Sequence, residues 1–222
     1  CKVKSSSKES PDELAEKNRR MLDAVLNLQL PLVYASSTVV HWPRPTAYGR
    51  SRLAEEKRVQ AAGIPWAVVR PCAPYGPRLT SHRPRHKESF HTLADLVRRL
   101  PVIPVPGSGR GRRQPVHVED FSHAILALLE KGLPGRGYDA GGGTAHTMNQ
   151  VVDLLATAVG KRVRKVHVPP RLLTLPARFS RDFEPELLAA FDSDDTADPG
   201  PLAEATGVTP RGFAAGAPCL FL

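Results

Sequence analysis

Tyr48 and Arg52 stand four residues apart in AYGRSRLAEEK (47–57). On a helix that spacing puts both side chains on one face. A cation beside a phenol favours phenolate, so the pair could move a proton nearer neutral pH than a free tyrosine, whose pKa is about 10. The competing reading is a basic surface helix that contains a tyrosine and a salt-bridging arginine. Two glycine clusters invite other chemistry. GSGRGR (107–112) begins like a dinucleotide-binding turn, but its third glycine position is Arg112, and its flanks signal neither a buried strand before nor a helix after. GGG (141–143) lacks that spacing and reads as a flexible strand-to-helix turn. His82 and His86 are four apart in a proline-broken stretch, which reads as a surface loop. Cys1, Cys72 and Cys219 show no metal-ligand spacing, and their odd number argues against a disulfide framework, so no metal is expected.

The elements that must position these residues follow from periodicity and caps. Ser10 to Glu13 has the form of a capping box with Pro11 in the first turn, and Leu14, Met21, Leu22 and Val25 then recur at helical spacing. Residues 30–37 form an apolar run, 46–62 a helix closed by Gly63, and 65–70 a second buried strand. Strand, helix, strand in that order suggests an α/β protein with a parallel crossover. Further helices are expected over 89–99, from Asp120 to Lys131, and from the box Thr147 to Gln150 onward to Gly160. Residues 163–170 alternate like a half-exposed strand, and 192–222, rich in Asp, Pro, Ala and Gly, are expected to be irregular.

Composition narrows the class. The 222 residues are 41% hydrophobic and 24% charged, which is ordinary for a globular chain. No apolar run approaches the ~20 residues of a membrane span, and the cytoplasm is the expected compartment. The net charge of +9 suits nucleic acid, a membrane surface or a phosphorylated small molecule. Aromatic content is 6%, with no aromatic pair beside a basic strand, which argues against a nucleic-acid module. The opening CKVKSSSKES starts with cysteine and enters a well-signalled helix almost at once, as a chain does whose beginning is missing.

Five blocks in order carry a family likeness: VYASSTVV (33–40), YGRSRLAEEK (48–57), VVRPCAPYGP (68–77), RQPVHVEDFSHAILALLE (113–130) and YDAGGG (138–143). Together they resemble the extended short-chain dehydrogenase/reductases, the NAD-dependent epimerase/dehydratase family, over about residues 10–215. The resemblance implies an incomplete Rossmann-like parallel sheet, from 1–78 and 116–141, with a smaller C-terminal α/β substrate domain from 79–115 and 142–222. It implies that Tyr48 is the acid/base, that Ser37 orients the reacting oxygen, and that Arg52 stands where the family lysine supports the nicotinamide ribose. Arg70, Pro71, Cys72 and Ala73 fall on the segment passing the nicotinamide of NAD or NADP. Arg113 matches an arginine that holds a substrate diphosphate, and Asn18 a helix asparagine often present in the family.

Two departures matter. Arginine replaces the lysine, keeping the charge but not the compact ammonium. The glycine-rich phosphate turn is absent from the chain. The activity implied is oxidoreduction or epimerisation of a small substrate such as a nucleotide sugar, without nucleic acid or membrane and with a homodimer left open. A non-catalytic relative that binds a dinucleotide or a partner is the alternative. On this reading lysine at position 52 should hold or raise activity.

Overall fold

The computed structural model of the chain describes residues 11–43, 46–78, 89–169, 172 and 193–222. Helix α1 (Pro11–Leu26) leads to β1 (Leu32–Ala35), a 3-10 turn (Thr38–His41), α2 (Ala47–Gln60) and β2 (Trp66–Pro71). Thr46 starts α2 by accepting from the Gly49 amide at 3.1 Å, and Gly63 follows it at φ +68, where a side chain would be strained. β1 and β2 pair in parallel from Leu32↔Trp66 to Ala35↔Val69, the crossover that strand–helix–strand order predicts. β5 (Arg136–Ala140) adds on the far side of β2, also in parallel, to give the order β1-β2-β5. With a neighbour on each side, β2 carries the buried run Ala67, Val68 and Val69.

Helices cover both faces of this sheet. Val68 faces Leu22 of α1 and Val59 of α2. Ala67, Val69 and Tyr138 face Ala124 and Leu128 of α4 (Val118–Lys131) and Leu202 of α6 (Gly200–Thr206). A second core joins α3 (Ser89–Arg99), β3 (Val102–Pro106), α5 (Met148–Ala158) and the chain's last helical turns around Tyr75, Ile103, Leu155 and Phe213. Here β3 pairs in parallel with β7 (Arg164–Val168), and β4 (Arg112–Arg113) pairs antiparallel with β6 (His146–Thr147). The capping box opening α5 has both halves in place: Thr147 Oγ1 accepts from the Gln150 amide at 3.2 Å and the Gln150 side chain from the Thr147 amide at 2.8 Å. Among the described residues no helix is long and apolar enough to cross a membrane.

Two expectations are corrected. Residues 193–222 are not irregular throughout: α6, α7 (Phe213–Gly216) and a closing 3-10 turn (Ala217–Phe221) bury Leu202, Phe213, Ala217 and Leu220. The few large apolar residues there are spaced by Pro and Gly, so no helical period is visible, yet Leu202, Phe213 and Leu220 reach a core. Nor is GGG a flexible turn. A Cβ on Gly141 would lie 2.9 Å from the Ala197 carbonyl oxygen, one on Gly142 2.0 Å from that of Pro115, and one on Gly143 2.8 Å from that of Pro210. The glycines are there because three backbone segments pass over them. Gly142 is pinned as well: its amide donates to Gln114 at 3.1 Å and its carbonyl accepts from the Gln114 side chain at 2.8 Å. Gly142→Ala is therefore expected to destabilise at the upper end of the ~1–3 kcal/mol typical of overpacking, read as a lowered urea midpoint with an unchanged slope.

Candidate active site

At the carboxyl end of β1 the chain leaves the sheet through Ser36 and Ser37 into the 3-10 turn and then α2. That path brings Ser37 against Tyr48 and sets Arg52 one turn further along α2. Ser37 hydrogen-bonds the Tyr48 hydroxyl. The Arg52 guanidinium carbon lies 5.2 Å from the centroid of the Tyr48 ring, over its face. Ser37, Tyr48 and Arg52 thus form one cluster, as their spacing and the resemblance suggested.

The electrostatics differ from the expectation. Burial pushes the Tyr48 phenol above its usual pKa, outweighing the Arg52 charge and the Ser37 hydrogen bond that pull it down, while Glu55 pushes it further up. The resting group at neutral pH is a phenol, ready to give a proton. Arg52 is not a free neighbouring cation. It is 3% exposed, and its Nη1 is 2.8 Å from Oε2 of Glu55, itself 4% exposed. The same nitrogen donates to the Tyr34 hydroxyl, which in turn donates to Glu55. Tyr34 and Glu55 were not among the residues singled out from the sequence. Glu55 had a visible signal, lying three residues from Arg52 on a helix. Tyr34 had none, because its contact crosses from strand to helix.

Two buried polar atoms here have no partner among the described residues: Oγ of Ser36 and Nε of Arg52. A hydroxyl left unsatisfied after β1 and a donor left unsatisfied on α2, in the residues next to Ser37 and one turn from Tyr48, fit the sugar and nicotinamide end of a dinucleotide. Those residues would hold that end by hydrogen bonds. The residues of this chain supply no glycine-rich turn for the pyrophosphate.

The segment after β2 departs from its expected use in one respect. Arg70 points its side chain into the fold: Nε and Nη2 donate to the two oxygens of Glu56 at 2.9 and 2.7 Å, and Nη1 to Asp139 at 3.1 Å. Its guanidinium is structural, which leaves the backbone of Arg70 and Pro71 for any contact in the cleft. Cys72 is fully buried, and its thiol donates to the Asp195 carbonyl at 3.0 Å. Burial pushes that thiol up to about 12, so it is no nucleophile. Ala73 follows in the left-handed region at φ 41, which turns the chain away from the sheet.

Arg113 lies on β4, where Nη1 donates to the carbonyls of Arg112 and Ser193 at 2.7 and 2.6 Å. It is linked to the Ser37 end through Asp195, which bridges to Arg113 by backbone and accepts from Thr38 Oγ1 at 3.0 Å and Trp42 Nε1 at 3.3 Å. Asp195, a residue that sequence reasoning missed, therefore ties the turn after Ser37 to Cys72 and β4. Asn18 is half-buried on α1. Asp120 is structural, as its helix-start position implied, but its main partner is Arg211, whose Nε and Nη2 it accepts at 3.0 and 2.7 Å. His82 and His86 lie outside the described residues, and among those described no three His, Cys, Asp or Glu gather as a metal site.

The fold that carries this cluster has counterparts among known proteins. The model of the NAD dependent epimerase/dehydratase family matches residues 4–141. The chain belongs to that family. It is 29% identical over 114 residues to dTDP-glucose 4,6-dehydratase from Escherichia coli, a match covering 50% of this chain and 29% of that enzyme. The chain thus spans under a third of that curated relative. UDP-glucose 4-epimerase from Thermotoga maritima, solved with UDP-glucose, superposes with a TM-score of 0.73 at 20% identity, over 95% of this chain and 70% of that one. dTDP-glucose 4,6-dehydratase from Bacillus anthracis, solved with NAD, gives 0.70 at 20% identity, over 94% of this chain and 66% of that one. At such identity these likenesses establish the α/β, Rossmann-like fold.

Proposed function

We propose that this family member carries the proton-transfer half of an NAD(P)-dependent dehydratase or epimerase acting on a nucleotide sugar. The observation that carries the reading is the meeting of Ser37, Tyr48 and Arg52 at the end of β1, beside the unsatisfied Ser36 Oγ and Arg52 Nε. The substrate would lie between the β1-β2-β5 sheet, with residues 1–78 and 116–141, and the unit of 79–115 and 142–222. Ser37 would orient a sugar hydroxyl, Tyr48 would exchange a proton with that oxygen, and Arg113 would meet the diphosphate. A nicotinamide cofactor, when bound, supplies hydride acceptance and return. A second reading, a non-catalytic relative, draws on the pairing already made by Arg52 and on the raised phenol.

The protein as isolated from its source, incubated with NAD and with dTDP-glucose or UDP-glucose, separates the two. Product lighter by one water, or an isomer of unchanged mass and altered retention, is the expected outcome. Cofactor binding with no product from either sugar would favour the non-catalytic relative.

A further inference from the structure

We propose that Glu55 and Tyr34 are positioning residues that hold the Arg52 guanidinium over the Tyr48 ring, making this a site built for arginine and not a lysine site with a tolerated exchange. This deepens the reading of Tyr48 as the acid/base and rests on it for its bearing on turnover. The guanidinium lies between two aromatic faces, 5.2 Å from the Tyr48 centroid and 5.8 Å from that of Tyr34. Its edge is fastened by Glu55 at 2.8 Å and by the Tyr34 hydroxyl, and those two acceptors are bonded to each other. A planar cation can stack on rings and hydrogen-bond at its rim together, whereas an ammonium is a point charge that would follow the carboxylate away from the ring. Glu55 also has a charge of its own, set against that of Arg52. The site therefore holds a cation close to Tyr48 and limits how far it lowers the phenol.

The other charged groups around this cluster are paired elsewhere: Glu56 with Arg70, Asp139 with His41 and Arg70, Asp23 with Arg58, and Glu16 with Arg19 and Arg20. Arg19, Arg50 and Arg58 line, together with Glu55, a cleft of about 380 Å³ between α1 and α2. Those cations do not intervene between Glu55 and Arg52, whose 2.8 Å contact is buried.

The Tyr48 phenol can be titrated by ultraviolet difference absorbance, with the Tyr48→Phe protein subtracted to isolate it; no turnover is needed. Glu55→Gln, whose amide oxygen still accepts from Arg52 and keeps it in place, is expected to lower its pKa by about one unit, because the opposing charge is gone. Arg52→Lys is expected to raise it by about one unit, because the cation leaves the ring. An ion pair that only holds the helix together would still lower the phenol in Glu55→Gln through the lost charge, but would leave Arg52→Lys at the parent's value, because the charge is kept. Unchanged titration in the folded Arg52→Lys protein would overturn the proposal. Should Arg52→Lys not fold, Tyr34→Phe decides: it deletes one oxygen, and a Tyr48 titration identical to the parent's would overturn it equally. Absence of turnover in the parent protein, with these shifts present, would sink the proton-transfer reading and leave this one standing.

Discussion

Tyr48→Phe is expected to lower turnover of a nucleotide sugar by about 10²–10⁴-fold, the range that a positioned acid/base contributes, with the melting temperature and cofactor affinity nearly unchanged. The substitution removes a hydroxyl whose identified partner is Ser37 and leaves the ring face that covers Arg52. The lost quantity is therefore proton transfer and not packing. The phenol's raised pKa sets the sign of the pH dependence. When Tyr48 must donate, the protonated form is fully present at neutral pH. When it must accept, only the small phenolate fraction works, so the rate climbs with pH through neutrality. Steady-state kinetics on the parent and Tyr48→Phe proteins at several pH values check both statements. Equal kcat in the two would remove Tyr48 from the chemistry.

Much of the frame around this site was legible in the residues, because it is local. The Thr147–Gln150 capping box, the apolar run that becomes β2 and the order strand–helix–strand each depend on neighbours within a few positions. What escaped depends on contacts across the chain. Helix α2 turns Gly49, Arg52, Glu55, Glu56 and Val59 inward, so its buried stripe is ionic apart from one glycine and one valine. Hydrophobic periodicity is blind to such a face. The Tyr48–Arg52 spacing was visible as a pair, but burial, which raises the phenol, is not encoded in spacing.

The same limit explains Arg70. From the chain order it falls on the segment that would pass a nicotinamide, and only the packed structure shows that α2 offers Glu56 to it and that its guanidinium passes over Gly137 of β5. A Cβ on Gly137 would lie 2.9 Å from Arg70 Nη2, so glycine there is what lets the guanidinium lie across the strand. The final segment was misjudged for a related reason: Leu202, Phe213 and Leu220 are too sparse to show a period, yet each is buried.

Glu56→Ala is expected to destabilise the protein by about 3–5 kcal/mol, a large part of the ~5–15 kcal/mol that folded proteins have. Glu56 is 1% exposed and receives Arg70 through two parallel hydrogen bonds, the geometry in which arginine binds a carboxylate best. Without it, Arg70 remains below the helix with Asp139 alone, a carboxylate that it shares with His41 at 3.1 Å. The cost is that of a buried cation missing its main partner, so Glu56→Ala combined with Arg70→Met should recover most of the loss. Urea unfolding of the two single variants and the double variant measures the coupling, and simple additivity would show that the pair is not a unit. The pair also joins α2, the helix that carries Tyr48, to β2. Folded Glu56→Ala protein should therefore lose turnover as well, although Glu56 touches none of the three residues in the proton-transfer cluster. The helix that carries Tyr48 is thus located by an ion pair as well as by the Val59–Val68 contact, so the placement of Tyr48 and the stability of the sheet depend on the same two charged side chains.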